Sequence, residues 1–104
     1  MDWKEEKNKR LVEAVLALET EKEAKCFLRD LMTSGEIEEF ANRLKAAEML
    51  LEKDPYSAIE KETGLSSATV ARVSKWLNGK EKGYKIIIAR LHHRKPARSK
   101  RGLV

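Results

Sequence analysis

Apolar residues recur along this chain at intervals of three and four. Leu11, Val15 and Leu18 share one face of a first segment, and Ala24, Phe27, Leu28, Leu31 and Met32 line one face of a second. Ile37, Phe40, Ala41, Leu44 and Leu51 mark a third stripe between about Ser34 and Lys53. This spacing brings apolar side chains together only on a helix, and no segment shows the strict alternation of a half-buried strand. Pro55 and Pro96 are the only prolines, so little interrupts the helices.

Helix starts are also written in the sequence. Thr20 with Glu23, Thr33 with Glu36, and Ser57 with Glu60 all have capping-box spacing. In such a box the hydroxyl accepts a free N–H of the first turn while the carboxylate reaches back to the cap residue's own N–H. After Pro55 the pattern shortens, predicting a helix from about Ser57 to Thr63, a turn at Gly64, and a helix from about Ser67 to Leu77 stopped by Asn78-Gly79. A last helix is expected from Tyr84 through Leu91. The expected fold class is therefore all-α, with about six helices in one domain over residues 1–92. Residues 93–104 read as a basic tail, disordered when free.

The stretch from Tyr56 to Leu77 carries the clearest geometric signal. Two short helices crossing near a right angle need a corner residue that tolerates positive φ, which Gly64 supplies. Ile59, Leu65, Val70 and Val73 then form the wedge between them. This is the spacing of a helix-turn-helix over about residues 56–77, and its second helix has the features of a recognition helix. Ser67, Ala68, Ala71, Arg72 and Lys75 fall on or near its outer face, with Thr69 counted among them, and no acidic residue occurs between Gly64 and Lys80. Ser66 and Ser67 can donate to phosphate, Ala68 and Ala71 can meet a thymine methyl, and Arg72 or Lys75 can reach guanine or phosphate. Ser57 places a further hydroxyl at a helix amino terminus, where phosphate is favoured.

Charge sharpens this picture. The 104 residues carry a net charge of +5, unevenly spread. Residues 1–81 hold 14 basic and 17 acidic side chains, whereas residues 82–104 hold 8 basic and none acidic. Arg94, Lys95, Arg98, Lys100 and Arg101 thus form a cationic arm that can follow phosphate, or merely keep the chain in solution; both readings stay open. The partner expected from this distribution is double-stranded DNA.

Other classes lose ground. No stretch approaches the ~20 apolar residues of a membrane span, and Asp2, Glu5 and Glu6 interrupt any signal-peptide pattern, so a cytoplasmic protein without membrane contact is expected. Cys26 stands alone, which precludes an intrachain disulfide, and its neighbours Ala24, Phe27 and Leu28 suggest a packed thiol. His92 and His93 lack a third ligand, no cofactor is implied, and no catalytic constellation is visible, so an enzyme is not expected.

The segment Leu31-Met-Thr-Ser-Gly-Glu-Ile-Glu-Glu-Phe-Ala-Asn-Arg-Leu-Lys45, the helix-turn-helix, and Gly83-Tyr84-Lys85 together resemble the Trp repressor superfamily, specifically its YerC/YecD branch. The resemblance spans about Lys9 to Leu91. It implies a homodimer with interlocked amino-terminal helices, offering two recognition helices to successive major grooves of a two-fold operator, as a transcriptional repressor does. In tryptophan-binding members the indole lies between two arginines, with a threonine opening the third helix and a glycine and a serine on the recognition helix. Thr33, Arg43 and Arg72 match this set. Val73 and Trp76 stand where the glycine and serine would be, and both are much larger, so the resemblance implies a remnant pocket and no small-molecule corepressor.

A dimer also follows from the pattern itself, because the apolar stripes of the first helices need a partner surface. A monomeric bundle closed on itself remains open. So does a helical module that binds nucleic acid or protein without operator specificity.

Overall fold

The structure, a computed structural model, describes residues 1–94. Six helices follow one another: α1 (Glu6–Leu16), α2 (Glu21–Leu31), α3 (Ser34–Leu51), α4 (Tyr56–Thr63), α5 (Ser67–Leu77) and α6 (Gly83–Arg94). The described residues contain no strand. The last helix continues through His92 and His93 to Arg94, past the end expected from the sequence, and the arm from Lys95 onward lies outside the described residues.

The chain divides into two compact units, Met1–Ile37 and the part from Glu38 onward. In the first unit, two of the expected caps form. Thr20 Oγ1 accepts from the Glu23 N–H at 3.0 Å, while the Glu23 carboxylate reaches the Glu19 N–H at 2.9 Å, one residue short of the expected donor. At Thr33 the box closes in both directions: its Oγ1 accepts from the Glu36 N–H at 3.1 Å, and its own N–H donates to the Glu36 carboxylate at 2.9 Å.

Neither α1 nor α2 buries a single residue. Leu11, Val12, Val15, Leu16, Leu28 and Leu31 are all exposed, Leu16 to 77%. The absence of any interior in this unit corrects the expectation for Cys26: its thiol is exposed on α2, a helix that buries none of its residues.

The second unit has a true core. Ala46 and Ala47 of α3 meet Ile59 of α4, Leu65 of the turn, Val70, Val73 and Leu77 of α5, and Ile88 of α6. Two alanines on α3 let the neighbouring helices approach closely, and Leu44, Met49, Leu50 and Tyr84 close the edges of the cluster. α5 packs on both α4 and α6. At the end of α3, Lys53 adopts φ 69° and the Asp54 N–H reaches back to the Met49 carbonyl at 3.0 Å, a left-handed cap followed by Pro55.

Pro55 also opens α4, which corrects one expected cap. Its backbone is extended, its carbonyl accepts from the Ala58 and Ile59 N–H groups, and α4 has no side-chain cap. Ser57 therefore sits inside the first turn, and the Ser57–Glu60 box does not form. A proline can open a helix here because its missing N–H is one that the helix would leave unbonded.

Candidate nucleic-acid interface

The turn between α4 and α5 is stitched by its own residues. Gly64 takes φ 75°, and its N–H donates to the Glu60 carbonyl at 2.8 Å. The buried Thr63 hydroxyl donates back to the Ile59 carbonyl at 2.7 Å and accepts from the Leu65 N–H at 3.2 Å. Thr63 thus satisfies polar groups on both sides of the corner. Sequence reasoning missed this role, although a threonine immediately before a corner glycine is the available signal.

Ser66, in extended conformation, caps α5 by accepting from the Thr69 N–H at 3.2 Å. Inward, Val70 and Val73 are fully buried and Leu77 nearly so, which fixes the helix on the core. Outward, Ser67, Ala68, Ala71, Arg72 and Lys75 are exposed together. The first turn of α5 has no acidic residue and its last turn carries Lys75, so its outer face combines small side chains and two cations, beside the positive end of the helix dipole. Ser57 is exposed on α4.

Thr69 departs from the outward set. It is nearly buried, and its Oγ1 accepts from the Ser66 hydroxyl and from Arg72 Nη2, both at 3.1 Å. It stands behind Arg72 and does not face outward.

The residues matched to an effector pocket are placed differently from one another. Thr33 belongs to the first unit, where the capping box employs its hydroxyl. In the second unit the Arg43 guanidinium carbon lies 5.3 Å from the centroid of Phe40 and 5.5 Å from that of Trp76, and its Nε donates to Glu39 at 3.1 Å. Val73 faces the core. Trp76 is half-exposed and walls an open apolar groove of about 780 Å³, lined also by Leu44, Tyr84 and Ile87 and edged by Lys75 and Glu81. Burial of the Tyr84 phenol pushes its pKa up, and the Arg43 cation partly opposes the shift.

An all-helical unit with a glycine-cornered helix pair and a cationic, carboxylate-free second helix defines a helix-turn-helix protein. The chain belongs to the Trp repressor protein family, whose model matches residues 6–92. It is 39% identical over 82 residues to the YerC protein of Bacillus subtilis (strain 168), covering 79% of each chain. A TrpR-like protein from Eubacterium eligens superposes with a TM-score of 0.80 at 36% identity, over 86% of this chain and 93% of that one. A candidate Trp repressor from Staphylococcus aureus gives a TM-score of 0.76 at 36% identity, over 81% and 84% of the two chains. The protein is thus TrpR-related and of the YerC type, in a family of regulatory DNA-binding proteins. No described helix is long and apolar enough to cross a membrane.

Proposed function

We propose that the protein is a sequence-specific transcriptional repressor, a homodimer that inserts α5 of each protomer into successive major grooves of a two-fold operator. The observation that carries this reading is the two-sided character of α5. Its inner face is locked on the core, and its outer face offers small residues with Arg72 and Lys75 and without a carboxylate. Small side chains allow backbone approach to base edges, and the cations supply phosphate and guanine contacts. Ser67, Ala68, Ala71, Arg72 and Lys75 are the contacting residues. Ser57 contacts phosphate from α4, and Ser66 caps α5 beside them.

The dimer is supported by the first unit, which buries nothing in a single chain. Apolar stripes on two consecutive helices find their shelter against a second copy, and two-fold symmetry then sets the half-site spacing at ~34 Å.

DNA binding in this reading needs no free L-tryptophan, because the face of Arg43 already carries the protein's own Trp76 ring. Titration with micromolar amino acid should leave Trp76 fluorescence unchanged. Selection from a random duplex pool at about 0.15–0.2 M salt is the decisive experiment. A recovered palindrome supports the operator reading, whereas equal retention of RNA and every duplex identifies an unspecific binding module.

A further inference from the structure

We propose that Thr69 is a positioning residue for base recognition: its nearly buried hydroxyl holds the Arg72 guanidinium in the orientation that reads a guanine. The inference rests on the DNA-binding reading above and assigns one base contact within it.

A threonine inside a helix commonly turns its hydroxyl back to the carbonyl four residues earlier. Thr63 does so in α4, donating to Ile59 at 2.7 Å. Thr69 does something else. Its oxygen accepts from the Ser66 hydroxyl and from Arg72 Nη2, each at 3.1 Å, while Ser66 in turn accepts from the Thr69 N–H at 3.2 Å. Cap, threonine and arginine form one chain of hydrogen bonds along the first turn of α5. Among the described residues no carboxylate is paired with Arg72, so the hydroxyl sets the direction of this cation.

The consequence is preorganisation. An exposed arginine samples many rotamers, and binding has to freeze them. The bond to Thr69 removes much of that freedom before DNA arrives and uses one of the five guanidinium N–H donors, leaving four for the ligand. Arg72 reaches one turn back along α5, toward the amino-terminal end from which recognition helices contact base edges. There the open side of the guanidinium fork matches the O6 and N7 acceptors of guanine.

Selection from a random duplex pool should be run with the wild-type protein and with Thr69→Val, Thr69→Ser and Arg72→Lys, circular dichroism confirming each fold. Valine keeps the shape and removes the acceptor. The wild type is expected to recover a guanine in each half-site; Thr69→Val and Arg72→Lys should lose preference for it by about tenfold. Thr69→Ser should retain it, the salt dependence of Thr69→Val should match the wild type, and the double variant should discriminate no less than Arg72→Lys alone. Should Thr69→Val lose helicity, Thr69→Ala replaces it in the same comparison. A wild type that selects a motif which Thr69→Val reproduces at every position overturns this inference alone. Equal weakening on all duplexes, or strictly additive effects in the double variant, also overturns it. A wild type that selects no motif overturns the DNA-binding reading and this inference with it.

Discussion

The guanidinium carbon of Arg43 lies 5.5 Å from the centre of the Trp76 ring, and thereby ties α3 to the outer end of α5. The same cation lies 5.3 Å from Phe40 and is held from behind by Glu39. A cation over an aromatic face is attracted by the ring quadrupole, most strongly when partly desolvated, and Arg43 is 27% exposed.

Arg43→Met should therefore lower the unfolding free energy by about 1 kcal/mol and shift Trp76 emission, both read by urea titration in a Trp3→Phe background. Arg43→Lys, which keeps the charge and loses the planar stack, should fall between the two. Indistinguishable midpoints for all three proteins would show that the stack contributes nothing.

Two left-handed residues predict opposite signs. A Cβ built on Gly64 meets nothing within 4 Å, so Gly64→Ala is opposed only by its φ of 75° and should cost about 1 kcal/mol. Lys53 holds φ 69° with a side chain, so Lys53→Gly should stabilise the protein by about 0.5 kcal/mol after the added freedom of the unfolded chain is subtracted. Thermal midpoints measured side by side decide both signs.

The proposed dimer is tested on the first unit. Leu31 is 50% exposed in one chain, and Leu31→Glu should turn a dimer into a monomer in sedimentation runs while leaving the helicity from α4 onward in place. Leu16→Glu should act in the same direction. An undisturbed dimer in both variants would place the contact elsewhere.

Tyr84 gives a pH dependence of known sign. Burial raises its pKa above the ordinary phenol value near 10, against the opposing pull of Arg43. The folded state then holds the proton more tightly than the unfolded state, so this contribution is complete below pH ~10 and is lost as pH rises through the folded pKa. Tyr84→Phe should flatten that alkaline loss of stability, and in a Tyr56→Phe background the remaining phenol should ionise later than free tyrosine. An alkaline profile identical in Tyr84→Phe would overturn this assignment.

Much of this architecture was legible in the sequence because its strongest signals are local. The helical stripes, Gly64 at the corner, and the wedge of Ile59, Leu65, Val70 and Val73 depend on spacing alone, and all four wedge residues are buried. The exposed positions on α5 followed from the same periodicity. What spacing could not supply was competition between neighbours. Ser57 has capping-box spacing, yet Pro55 begins the helix two residues earlier and leaves the hydroxyl without that task. Thr69 lies between the inner and outer faces of α5, and only its hydrogen bonds to Ser66 and Arg72 show which way its oxygen is used. Cys26 is exposed despite its apolar neighbours, which imply burial only where something covers them.

The lack of any interior up to Ile37 reaches beyond architecture into gene dosage. In the proposed dimer the leading helices find shelter only against a second copy, so at scarce abundance doubling synthesis should more than double the occupied sites on DNA. Such a regulator carries a threshold in its own assembly, set by how many molecules the cell makes.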